Sequence, residues 1–145
     1  MADFRCDGLD SLLADMRALA ELPDEVVDGM LNAGADVVVE AQKRKIRSYG
    51  IYATDNQATK HVADSVKKTD VKLQRDARVI YVYPQGTRRR GKSTTRNAEI
   101  AFINEYGKQG QKARPAIRDA NEECAESTTA AQAKVYDEWL TSKNL

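Results

Sequence analysis

The sequence predicts an α+β fold: long amino-terminal helices and a carboxy-terminal helix packed on a small antiparallel β-sheet that carries a long basic hairpin loop. Three observations predict it. Apolar residues recur at intervals of three and four near both ends of the chain. The middle holds short β-branched and aromatic runs bounded by turn residues. A stretch at 84–97 contains no large apolar side chain and five positive charges.

From Gly8 to Leu22, the residues Leu9, Leu12, Leu13, Met16, Leu19 and Leu22 fall on one face of a helix. Pro23 ends it and, with Asp24 and Glu25 in a first turn, opens a second helix. The second stripe is Val26, Val27, Met30, Leu31, Gly34, Val37, Val38, Ala41 and Ile46. Gly29 and Gly34 each weaken that helix by about 1 kcal/mol relative to Ala, unless something packs closely there. Its end, Lys43-Arg44-Lys45-Ile46-Arg47, is basic as the helix dipole favours, and Gly50 is placed to stop it. A turn through Ala53-Thr54-Asp55-Asn56 leads to one or two helical turns ending near Ala63.

Residues 66–74 read as a polar strand on a sheet edge, because Lys67, Lys68 and Lys72 stud it. Arg75-Asp76 is the turn of a hairpin, and 77–83 is the strongest strand in the chain; Pro84 closes it. Residues 84–97 read as a long mobile loop at the tip of the sheet, carrying Arg88, Arg89, Arg90, Lys92 and Arg96. Asn97 as N-cap and Gly107 beyond the last turn frame a short helix, although the Ile100/Phe102 alternation also suits a strand. After the polar loop 108–112, Arg114-Pro115 introduces a last helix. Its stripe is Ile117, Ala120, Cys124, Thr128, Ala131, Val135 and Trp139. That face is rich in alanine, which suits close helix approach or shallow burial, with Trp139 as the anchor; 141–145 reads as a flexible tail.

At 145 residues and 16.1 kDa, the chain is expected to form a single domain over 1–145. No apolar run approaches the ~18 residues of a membrane span, and the acidic start through Asp7 is unlike a signal peptide. A soluble intracellular product is expected. Cys6 and Cys124 lie far apart with no CxxC and read as reduced thiols. His61 is the only histidine, so neither a zinc ligand set nor a Ser–His–acid triad has its expected context. The run from Gly86 through Gly91-Lys92-Ser93 has phosphate-loop spacing, but no buried strand-to-helix run accompanies it. No catalytic, cofactor-binding or metal residue is assigned, and the expected product is not an enzyme.

Charge by segment says more than the total of +1. Residues 1–40 hold two basic and ten acidic side chains, 41–118 hold 19 basic and six acidic, and 119–145 hold two basic and six acidic. Two readings follow. Acidic helix starts and basic helix ends pair within the fold, or an acidic face meets a basic face on the next copy, head to tail. The arginine loop lacks interleaved aromatics, so any nucleic acid there would be held by its backbone without sequence preference.

Three local signatures then fall in order: Phe4-x-x-x-Gly8-Leu9-x-x-Leu12; Asp64-Ser65-Val66; and Asn104-Glu105-Tyr106-Gly107 followed by Ala113-Arg114-Pro115-Ala116-Ile117-Arg118-Asp119-Ala120. The sequence resembles the minor tail component family of long-tailed double-stranded DNA bacteriophages, also described as head–tail joining or tail-completion proteins. It departs from that pattern at Tyr106 for Phe, Lys108 for Thr, Ala116 for Phe and Asp119 for Pro. It also has Ala58-Thr59-Lys60-His61 in place of Thr-Gly-x-Leu. The resemblance implies a structural virion protein that forms a ring, sixfold in the family, at the neck between head and tail. Such a protein is assembled in the host cytoplasm and has no cofactor. Its implied partners are copies of itself and the adjacent neck and tail-tube proteins, with possible backbone contact to packaged DNA and no membrane. Arg88, Arg89, Arg90, Lys92, Arg96, Arg114 and Trp139 are the expected partner-binding residues. The alternative is a nonspecific double-stranded DNA-binding module using the basic middle segment. A metal-dependent nuclease built on Asp64, Asp70, Asp76, Glu99 or Glu105 is disfavoured, because these acids alternate with Lys and Arg as on a solvated sheet.

Overall fold

The computed structural model describes residues 9–20, 22–51, 62–90 and 92–144. Their order is α1 (Leu9–Ala20), α2 (Asp24–Ser48), a 3-10 turn (Val62–Ser65), then six short strands. The strands are β1 (Val66–Lys68), β2 (Lys72–Gln74), β3 (Ala77–Val79), β4 (Val82–Pro84), β5 (Thr87–Arg90) and β6 (Ser93–Arg96). Helices α3 (Asn97–Tyr106) and α4 (Ala116–Ser142) complete the chain. The α+β architecture is the one expected, with β1, β4 and β3 against α2. Among the described residues, no helix is long and apolar enough to cross a membrane.

Helix α2 begins and ends as its sequence dictates. Pro23 sits in extended geometry, and its carbonyl accepts from Val26 N (3.0 Å) and Val27 N (3.2 Å). At the other end Gly50 takes φ 61°; its N–H donates to Arg47 O (3.0 Å), and Ile51 N donates to Ile46 O (3.2 Å). That pair of bonds is a Schellman close, and its accompanying apolar contact, Ile51 against Ile46, belongs to the main core. The core is Val39, Ile46, Ile51, Val62, Ala63, Val66 and Ala116, flanked by Tyr49, Val82 and Ile100.

Helices α2 and α4 run antiparallel along a seam of small residues. Ala41 packs with Ala120 and Cys124, and Gln42 Nε2 donates to Asn121 Oδ1 at 3.0 Å. Farther along, Gln132 lies over Gly34 where a Cβ would stand 2.8 Å from its Nε2, and Val135 lies over Gly29. The two glycines that weaken α2 are thus places where α4 side chains pack against its backbone. On α4 the stripe expected from the sequence is the face turned inward: Ala120 and Cys124 are buried, and Ile117, Thr128, Ala131, Val135 and Trp139 are half-buried.

The hairpin expected over 66–83 forms, but not as two continuous strands. β1 pairs with β4 in the register Val66↔Pro84, and β2 with β3 in the register Lys72↔Val79. Between them Asp70 and Val71 oppose Ile80 alone, so one extra residue forms a bulge and splits each strand. Arg75 (φ 47°) and Asp76 (φ 64°) make the two-residue turn in left-handed geometry, which neither residue favours. Replacing them with Asn-Gly is expected to raise stability by about 1 kcal/mol, read from the urea midpoint at constant slope.

Three further expectations need correction. Residues 84–97 are not a loop: β5 and β6 pair from Thr87↔Arg96 to Arg90↔Ser93, and α3 follows directly. Thr-Arg-Arg-Arg and Ser-Thr-Thr-Arg form a strand pair here without the apolar alternation that usually signals one. The carboxy terminus is helical through Ser142, with Lys143 as its cap, so little of 141–145 is a tail. Asn97 is the first residue of α3 and does not cap it with its side chain. The helical turns expected up to Ala63 fall mostly at 52–61, outside the described residues; the 3-10 turn at Val62–Ser65 follows them. Helix α1 forms where expected, but Leu12, Leu13 and Met16 on its apolar face are 55%, 43% and 58% exposed.

Much of the segmental charge is paired inside the fold. Arg78 on β3 reaches Asp24 (2.9 Å) and Asp28 (2.5 Å) on α2; Lys68 reaches Asp36; Lys45 reaches Glu123; and Arg47 reaches Asp64. The Arg78 hydrogen bonds hold the Asp28 carboxyl below its ordinary range. A depressed carboxylate contributes stability that is present above the unfolded-state pKa and is lost as pH falls through the folded one. Urea midpoints measured downward from pH 7 are therefore expected to show an acid-side loss that Arg78→Met reduces.

Candidate interaction surface

The β5–β6 hairpin is fixed at its root by Asn97. This side chain is buried; its Oδ1 accepts from Arg88 Nε (2.7 Å) and its Nδ2 donates to Gln85 O (2.7 Å). Its backbone N–H donates to Gly86 O at 3.0 Å, where Gly86 takes φ 79°. Spending both ends of the amide on the hairpin explains why it is not free to cap α3. Strand alternation puts Arg89 and Arg96 on the face opposite Arg88. Arg89, Lys92 and Arg96 are exposed, whereas Arg88 is half-buried and turned toward Asn97. For Arg90 the backbone pairing with Ser93 is described.

The other two expected partner-binding residues lie elsewhere. Arg114 is engaged within the chain: its guanidinium donates to Asn104 Oδ1 (2.5 Å), Tyr49 O (3.2 Å) and Gly50 O (3.4 Å). Trp139 is half-buried near the far end of α4, with its ring 5.8 Å from that of Tyr136. At 1.5 Å per residue, it stands roughly 34 Å along α4 from Ala116. The structure therefore gathers the hairpin cations and leaves Arg114 and Trp139 out of that cluster.

The motif around Asn104 and Arg114 is explained by what holds the link between α3 and α4. Asn104 is buried; its amide donates to Ile100 O (2.8 Å) and accepts from Gln111 Nε2 (3.2 Å) as well as from Arg114. Glu105 caps α4, accepting from Ile117 N (3.0 Å) and Arg118 N (2.9 Å), two donors a helix start leaves without intrahelical partners. Gly107 turns the chain at φ 77°, and Lys108 and Gln111 exchange two backbone bonds (3.1 and 2.8 Å) around Gly110.

Beside the hairpin lies a feature the sequence reading missed. β4, α3 and α4 enclose an open groove of about 470 Å³, lined by Tyr83, Ala98, Phe102, Tyr106 and Ile117, with Arg118 among its polar residues. Phe102 and Tyr106 are 63% and 70% exposed with ring centroids 4.7 Å apart, and Tyr83 is 43% exposed. The signal was present: read as a helix, 97–106 buries Ala101 and Asn104 on one side and leaves Phe102 and Tyr106, four residues apart, on the other.

The hydrogen bond from Tyr49 to Asp119 raises the phenol, and the bond to Glu123 raises Lys45; both clasp the α2 end to α4. Among the described residues, no group of three or more His, Cys, Asp or Glu is placed to hold a metal ion. Cys124 is buried and unbridged; Cys6 and His61 lie outside the described residues. No protein-family model, curated protein or solved structure matches the chain.

Proposed function

We propose that this chain is a non-enzymatic structural subunit of the neck of a long-tailed double-stranded DNA bacteriophage. Copies of it assemble into a ring that completes the tail and joins it to the DNA-filled head. The family resemblance supplies the place, and one physical observation supports the subunit role. Large apolar side chains are exposed together on α1 (Leu12, Leu13 and Met16) and around Phe102 and Tyr106, which is a usual mark of a surface covered by another protein.

In this reading the outer face of the β5–β6 hairpin, with Arg89, Lys92 and Arg96, meets an acidic patch on an adjoining ring. A channel must let DNA pass, and a cluster of cations on each subunit would retain it. The test is joining of separately purified heads and tails that lack this protein. Added wild-type protein is expected to restore whole particles, and the Arg89→Ser/Lys92→Ser/Arg96→Ser variant to restore few. This variant leaves Arg88 in place to hold Asn97. Failure of the wild-type protein to join particles would falsify the neck assignment.

The exposed hairpin cations favour one other reading, a module that holds double-stranded DNA by its phosphates. It requires affinity that falls steeply with salt, the log–log slope tracking the phosphates neutralised. A DNA titration between 50 and 200 mM salt showing tight, salt-steep binding, lost in the same triple variant, would put this reading first.

A further inference from the structure

We propose that the seam between α2 and α4 holds a small-molecule site, taken by a neutral compound with an amide N–H and C=O side by side on an apolar body. The site belongs to the single chain and does not depend on the ring proposed above. It begins with a buried group that lacks a partner. Gln42 is 2% exposed, and its Nε2 donates to Asn121 Oδ1 at 3.0 Å. Its Oε1 is buried and receives no hydrogen bond from any described residue. Buried polar atoms in folded proteins are almost always paired, because an unpaired one keeps the full cost of losing water. This oxygen therefore calls for a donor from outside the chain.

Gln42 lines a cleft of about 300 Å³ between α2, α4 and the hairpin at 66–84. Leu31 and Val38 of α2 and Ile80 and Val82 of the hairpin, all half-buried, supply its apolar walls. Its polar lining is three carboxamides, Gln42, Asn121 and Gln132, with the Thr128 hydroxyl. No Lys, Arg, Asp or Glu lines it among the described residues. Gly34 sets the width at one end: a Cβ there would stand 2.8 Å from Gln132 Nε2, so glycine lets that amide lie against α2. From Gly34 to Gln42 is ~12 Å at 1.5 Å per residue, which puts carboxamides at both ends of an apolar trough.

This lining selects the class of ligand. Neutral side chains cannot compensate a buried ion, so a charged compound would lose its hydration without return. Gln42 Oε1 requires a donor. Asn121, whose oxygen is engaged by Gln42, has an amide nitrogen to donate in exchange. An amide held cis in a ring, as in a lactam or a pyrimidinone, presents N–H and C=O on one edge and answers both needs. The rest of the ring then covers Leu31, Val38, Ile80 and Val82, and that burial supplies the affinity.

The test titrates ε-caprolactam into the full-length, nitrogen-15-labelled protein and follows the side-chain amide signals of Gln42, Asn121 and Gln132. Saturable shifts are expected, with a Kd of roughly 1–10 mM for a ligand of eight non-hydrogen atoms. N-Methylcaprolactam keeps the ring and the carbonyl but has no N–H, and is expected to bind about 10-fold more weakly. Gln42→Met keeps the length of the side chain and removes the oxygen. It is expected to bind the two lactams alike and to melt no lower than wild type, because Asn121 is exposed and water can replace its lost partner. The comparison of the two lactams uses wild-type protein and stands even where the variant fails to fold. Shifts that stay linear to about 100 mM, equal affinity for the two lactams, or an undiminished preference in folded Gln42→Met would each overturn the proposal. So would a crystal structure grown with caprolactam in which a water alone serves Gln42 Oε1.

Discussion

Gly107→Ala is expected to lower unfolding stability by about 3 kcal/mol or more, the largest effect of a single methyl group anywhere in the described chain. Gly107 lies at φ 77° and ψ 176°, a region essentially closed to residues with a Cβ. A methyl there would stand 2.8 Å from Gln111 O and 2.9 Å from Ala113 N. Both neighbours are backbone, so no side chain can swing aside. The turn would have to open, and with it the Glu105 cap on α4 and the Asn104–Arg114 contact. Gly110→Ala is the control: φ is 80°, yet nothing lies within 4 Å of the added atom. Its cost is expected to be conformational only, about 1 kcal/mol. Urea unfolding of both variants at unchanged slope checks the pair, and equal losses would show that the clash is relieved.

Arg114→Ala is expected to cost about 2–3 kcal/mol in the isolated chain, with no partner present. The guanidinium ties the carbonyls just past α2, Tyr49 O and Gly50 O, to Asn104 on α3. The planar fork reaches two backbone carbonyls and an amide oxygen together. Arg114→Lys is expected to recover less than half of the loss, because a single ammonium cannot span the same three acceptors. Asn104→Ala and the double variant complete a cycle whose coupling is expected near 1–2 kcal/mol. A stability unchanged by Arg114→Ala would return this residue to the surface role its sequence context suggested.

The helices were legible because each writes a period of three to four into its sequence, and their ends because Pro23, Gly50, Gly107 and Pro115 punctuate them. The hairpin at 66–84 was legible down to its turn at Arg75-Asp76, but its bulge was not. One inserted residue at Asp70-Val71 changes the register without changing the composition. The β5–β6 hairpin escaped because strand patterns are read from buried alternation, and this pair buries no large apolar side chain. What stabilises its root is Asn97, whose type suggested a helix cap. The groove escaped for a different reason. It is made by three segments far apart in sequence, so only the fold puts Tyr83, Phe102 and Ile117 together. Arg114 was expected to bind a partner, and in the structure its guanidinium donates to the chain's own Tyr49 and Gly50 carbonyls and to Asn104.

The seam between α2 and α4 carries a calorimetric consequence. Glycine, alanine and one cysteine bring the helices close while covering little hydrocarbon, and the buried core elsewhere is mostly valine, alanine and isoleucine. Melting such a chain newly wets less apolar surface than melting an average domain, so its heat-capacity increment should fall below the usual ~12–15 cal/mol/K per residue. A small increment flattens the stability curve, so the chain's stability should vary little with temperature over a wide range. In the ring proposed above, coverage by neighbours would restore the missing increment, and that assembly should melt with a larger heat-capacity step and at a temperature that climbs with protein concentration.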